Sequence, residues 1–152
     1  MKQAPVNLRK PDTITFEDQT VPVDEIAAIH RDPVYFTYDV ILSNYKHGGK
    51  SYSVSASHQS YQDVADLYDW RSYVWVEETD GAIIFHAHDS SALHVLEETL
   101  EQEHYAWVGT STHIMVYRNQ GNNVDALDRE ERLPDLIAMF ATPRPQDLGF
   151  EV

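Results

Sequence analysis

Two histidines stand two residues apart, His86 and His88, inside the stretch Gly81-Ala82-Ile83-Ile84-Phe85-His86-Ala87-His88. Side chains two apart on a strand share a face. The two imidazoles therefore fall on one side of a strand, and Ile83, Phe85 and Ala87 on the other. Such a pair can give two ligands to a metal ion, or exchange protons near neutral pH. The plainer reading is hydrogen-bonded histidines, and it is preferred. A third ligand, His113, is expected on an outer strand with another strand between, about 10 Å away at two strand spacings. Asp89 completes no hydrolase spacing. Neither a metal nor another cofactor is expected, with His86 and His88 the only metal candidates.

Other chemistry-bearing residues read in the same way. His58, Ser60 and Asp63 are close in sequence, but Ser60 suits a helix cap and no nucleophile elbow surrounds it. Gly48-Gly49 lacks the lysine and hydroxyl spacing of a phosphate loop. Asp125, Asp128, Glu130 and Glu131 lack calcium-loop spacing. No catalytic residue is assigned. The chain has no cysteine, which excludes disulfides, thiolate metal sites and cysteine nucleophiles and fits a reducing compartment such as the cytoplasm.

Charge is the second signal. The net formal charge is −14, from 25 acidic and 11 basic residues. Three of those basic residues, Lys2, Arg9 and Lys10, lie in the first ten positions, where no acid does. A body this acidic repels nucleic-acid phosphates, whose binding needs Lys and Arg, and attracts a basic protein surface. Asp63 and Asp66 fall on the polar side of one expected helix, and Glu97, Glu98 and Glu101 on that of another. Glu97 and Glu101 are like charges at i, i+4, and Glu98 and Glu101 at i, i+3. Each such pair costs about 0.2–0.5 kcal/mol in an isolated helix. The functional reading is a docking face for a basic partner, in the manner of an inhibitor, an adaptor or a nucleic-acid mimic. The plainer one is a solvated face on an acidic protein.

The elements that position these groups follow from periodicity. Residues 1–11 hold two prolines and read as a loose arm, 12–142 as one α+β domain, and 143–152 as a tail. Residues 13–16 and 20–23 suggest a small hairpin. Ile26 and Ile29 at i, i+3 suggest a helical turn over 24–30, and residues 34–42 a strand. Residues 51–57 alternate, with Tyr52, Val54 and Ala56 opposite four serines. Ser60 then opens a helix to residue 70. Residues 73–78 and 82–88 pair across Asp80-Gly81, a hairpin-turn dipeptide. Asp89 and the two serines after it supply caps for a helix carrying Leu93, Leu96 and Leu100 as its buried stripe. Residues 105–118 read as an interrupted or bent strand with its break at Gly109. A last helix runs from about residue 127 to 140, and Pro134 moves its start toward Arg132 or Leu133.

From residue 50 to 118 the order is β-α-β-β-α-β, the ferredoxin-like split βαβ arrangement, with strand 34–42 added at an edge. That fold hosts many functions. It leaves Tyr73, Trp75, His86, His88, His113 and Tyr117 on the face away from the helices. Such a face could line a small-molecule pocket or an enzyme site, or pack against a second copy in a homodimer. No run approaches the roughly 18–20 apolar residues of a membrane span, and the start lacks a secretory apolar region, so no membrane partner is expected.

Overall fold

A computed structural model describes residues 8–119, 121 and 123–142. The described residues divide into two compact units, Leu8–Trp70 and those from Arg71 to Thr142. The expected tail at 143–152, and the arm as far as residue 7, lie outside the described residues. The class is α+β, and the described strands form three separate antiparallel sheets.

In the first unit, β1 (Thr13–Thr15) and β2 (Thr20–Pro22) form the expected hairpin. A second sheet has the order β3 (Ile26–Asp32), β4 (Thr37–Leu42), β5 (Ser51–Val54). Between β4 and β5 lies the short helix α1 (Asn44–His47), closed by Gly48 in the left-handed conformation that glycine adopts without strain. The helix expected at 24–30 is instead a 3-10 turn, Val23–Glu25, followed by β3. The i, i+3 spacing of its isoleucines has a strand explanation. The register slips by one residue between Ile26 and Ala28. This bulge lets Ile26 and Ile29 reach the same core.

Helix α2 (Tyr61–Ser72) is longer than expected and includes Arg71. Its Val64 and Leu67 are fully buried in one cluster with Ile14, Val21, Val40, Leu42 and Val54. Tyr61, Ala65 and Tyr68 pack at the margin.

The second unit is built on a four-stranded sheet of order β6 (Val74–Glu78), β7 (Ala82–Ala87), β9 (His113–Tyr117), β8 (Trp107–Gly109). Helix α3 (His94–Gln102) follows a 3-10 turn, Ser90–Leu93, whose cap is Asp89 accepting from Ser91 N at 2.9 Å. Two further helices, α4 (Val124–Glu131) and α5 (Leu133–Phe140), break at Arg132, and Pro134 sits in the first turn of α5 as the sequence requires. Val74, Ile83, Phe85, Ala87, Ile114 and Val116 share one core with Leu93, Leu96 and Leu100 and with Leu133 and Leu136. The apolar side of the sheet therefore lies under helices, as the alternation demands.

The ferredoxin-like sheet is not what forms. Residues 51–57 were to enter its middle, beside residues 82–88. Instead β5 pairs with β4, Tyr38 opposite Val54 and Val40 opposite Tyr52. β9 takes the place beside β7, Phe85 opposite Ile114. Strand 34–42 is accordingly the centre of its own sheet, not an added edge. The physical reason is proximity along the chain. A β4–β5 pairing closes a short loop, whereas a crossover into a distant sheet closes a longer one at greater entropic cost. Residues 105–118 form a hairpin. Gly109 permits it, because a Cβ there would lie 3.1 Å from Ile114 Cγ1 and 3.3 Å from the His113 carbonyl oxygen.

Phe85 is fully buried. Phe85→Ala should destabilise the protein by about 3–5 kcal/mol, read by urea denaturation. A loss below about 1 kcal/mol would place Phe85 outside a packed core.

Candidate functional site

The sheet of the second unit presents a row of aromatic rings on the side away from its helices. Register sets Trp75 opposite His86 and His86 opposite His113. The three rings therefore stand on adjacent strands. Trp75 and His86 stack with centroids 5.3 Å apart and planes 17° apart. His88 tilts against the same indole at 5.1 Å. His86 and His113 are 6.1 Å apart. This corrects the separation read from the sequence, in which the serine strand stood between them. That strand belongs to another sheet, so His113 is a direct neighbour.

His86 is buried, and its Nε2 lies 3.1 Å from Glu77 Oε1. A carboxylate only accepts, so the imidazole carries its proton on that nitrogen. Thr110 Oγ1 lies 3.0 Å from His113 Nδ1. Trp75 is also buried, and its indole Nε1 has no hydrogen-bond partner among the described residues. Such an unsatisfied donor costs about 1–3 kcal/mol. Tyr73 is buried beside Trp75, ring centroids 6.0 Å apart, while Tyr117 at the far end is exposed. Burial holds the His88 imidazole below its ordinary range. Among the described residues no group of three His, Cys, Asp or Glu side chains is placed to hold a metal ion.

The five acidic residues fall into two groups. Asp63 and Asp66 are on α2 in the first unit, and one cation holds both. Arg9 Nη1 donates to Asp63 Oδ1 at 2.6 Å and to Asp66 Oδ2 at 2.8 Å. Gln62 also donates to Asp66 at 2.8 Å. Glu97, Glu98 and Glu101 are on α3 in the second unit. Among the described residues Glu98 meets only a histidine, His94, at 3.2 Å. Glu97 and Glu101 have no ion pair among the described residues. These three carboxylates line a shallow depression with Gln102 and Trp107.

Sequence reading missed three contributors. Arg9 sits in a segment without periodicity, and nothing local says which acids it meets. Trp107 lies on a three-residue edge strand, too short to show alternation. Val34, Tyr35 and Phe36 read as the start of a strand, yet they form the exposed tip of the β3–β4 hairpin. Asp32 Oδ1 accepts from the backbone N–H of Val34 at 2.9 Å and of Tyr35 at 3.2 Å. Phe36 has φ of 54°, unusual for an aromatic residue. An Asp before Pro was a usable turn signal.

The lowered His88 value has a definite sign. The unfolded chain takes up the proton first, near pH 6.5, so stability is complete above that pH. It falls as pH drops through the window toward the depressed folded value. Denaturation midpoints measured from about pH 8 to about pH 5 should decline less steeply in His88→Gln than in the parent. Parallel curves would remove burial of His88 as a cause.

No protein-family model matches this chain, and neither a curated protein nor a solved structure matches it significantly.

Proposed function

We propose that this chain is a small non-catalytic binding protein, and that Glu97, Glu98 and Glu101 on α3 dock a basic partner protein around Trp107. The observation that carries the reading is the unmatched charge of that helix. The acids of α2 are met by Arg9, whereas the α3 acids meet no Lys or Arg among the described residues. Glu101 also sits in the last turn of α3, where the helix dipole disfavours an anion by about 0.3–1 kcal/mol. Sequence features that cost stability are often retained for function. A half-exposed tryptophan ringed by carboxylates matches the pattern of a buried aromatic anchor with a charged rim.

A second reading is supported by a different observation. The buried Trp75 Nε1 donor, with the histidine row around it, suits a small ligand that brings an acceptor to that face. It would make the protein a small-molecule binder or an enzyme.

One comparison separates the two. Glu97→Gln/Glu98→Gln/Glu101→Gln and a charge-matched control, Glu78→Gln/Asp125→Asn/Glu131→Gln at exposed positions, would be used to capture partners from the native host. The first triple should lose a partner that the control and parent retain, and raised salt should elute it, because screening shortens from about 10 Å at 0.1 M to about 3 Å at 1 M. The same triple should be at least as stable as the parent, since each like-charge pair removed returns about 0.2–0.5 kcal/mol. Equal capture by both triples would remove the electrostatic basis and move the weight to the histidine face.

A further inference from the structure

The first unit contains a cleft of about 360 Å³. Small-ligand pockets run from roughly 300 to 1,000 Å³. Its apolar wall is the pair Phe16 and Tyr52, stacked with centroids 4.2 Å apart and planes 4° apart, with buried Val54 beside them. That wall is fixed before any ligand arrives. Tyr52 Oη donates to Asp18 and accepts from Gln19 Nε2 at 2.9 Å, and Lys50 pairs with the same Asp18. The hydrogen bonds from Lys50 and then from Tyr52 hold the Asp18 carboxyl below the usual range. Preorganisation of this kind lowers the cost of binding.

The polar lining is sparse and directional. Among the described residues, Glu17 is the one Asp, Glu, Lys or Arg that lines the cleft. It has no ion pair among the described residues. His58 accepts the backbone N–H of Ser55 on Nδ1 at 3.0 Å. Its neutral ring therefore carries the proton on Nε2 and can donate there. Ser55 Oγ lies 3.0 Å from the same Nδ1 and 2.9 Å from Ser57 Oγ, so the loop hydroxyls are tied into one chain. This is not a nucleophile and its base. His58 N donates to Ser55 O at 3.0 Å, which makes the Ser–His contact part of a tight turn.

We infer that this cleft binds a small organic cation, an ammonium or guanidinium group on an aromatic or apolar body. The cation meets Glu17, the body lies against Phe16, Tyr52 and Val54, and His58 Nε2 meets an acceptor on the ligand where there is one. An anion would face Glu17 with no lysine or arginine in the lining to offset it. A metal ion would find a single carboxylate. The same cationic chemistry can come from a free amine or from an arginine side chain of a peptide. The inference uses none of the α3 residues and stands apart from the proposed docking face.

The test is a two-dimensional NMR titration of the full chain with benzylamine, benzamidine, benzyl alcohol and benzoate. The two cations should bind saturably in the millimolar range, compete with each other, and shift the amides of Glu17, Ser57 and His58. Benzyl alcohol should bind several-fold more weakly and benzoate not at all. Glu17 is exposed, so Glu17→Gln should weaken the cations by about three- to fivefold, the size of an exposed ion pair, and leave benzyl alcohol unchanged. Ser57→Trp should block benzylamine, benzamidine and benzyl alcohol alike. If that variant does not fold, Glu17→Gln on a turn residue carries the test. Equal binding of alcohol and amine, no effect of Glu17→Gln, or no saturable shift at those amides would each overturn the inference. N-acetyl-arginine amide and a tripeptide with arginine at its centre distinguish the source. Binding of both assigns a peptide side chain, and exclusion of the tripeptide assigns a free amine.

Discussion

The pleat of one strand holds the second unit together. Along β7, Ile83, Phe85 and Ala87 turn into a packed core, and His86 on the same strand turns the other way. Shifting the register by one residue would exchange the two sets and bury imidazoles under α3 and α5. Leu93, Leu96, Leu100, Leu133 and Leu136 come from two helices and all require the apolar side. The row of Trp75, His86 and His113 is the reverse of that requirement. It exists because the core on the other side sets the strand registers.

Electrostatics divides the surface in a second way. Cations are scarce, and most of the described ones are already committed. Arg9 serves Asp63 and Asp66, Lys50 serves Asp18, and Lys46 with His47 serves Glu25. Arg118 meets Glu130, and Arg132 meets Glu103 and Asp128. Exposed pairs of this kind, screened by solvent, add little to stability. Their larger consequence is where they leave charge unmet. The α3 carboxylates and Glu17 are two such places, one on each unit.

In the first unit, local devices set the geometry. A one-residue bulge in β3 brings two isoleucines into one core. Gly48 in the left-handed conformation ends α1, and three residues later β5 pairs back onto β4. The chain leaving β5 turns at Ser55 and His58, and that turn shapes the cleft beside Tyr52. Arg9 and Lys10 lie against α2, the latter 4.6 Å above the Trp70 ring. Two of the three basic residues near the start of the sequence thus hold contacts within this unit.

Local order was legible in the sequence, because it depends on neighbours a few residues away. The alternation of β7, the Asp89 cap, the leucine stripe of α3, the hairpin around Asp80-Gly81 and the break before Pro134 are all short-range facts, and each face of β6, β7 and β9 followed from them. Strand partnership beyond the tight hairpins was not legible. A strand's face pattern says which side is apolar but not which strand lies beside it, so Ser51–Val54 fitted either sheet on pattern alone. Tertiary structure decided that β5 joins β4, and hence that His113 adjoins His86. It also decided which carboxylates Arg9 reaches, because a contact across more than fifty residues leaves no periodic trace in the chain.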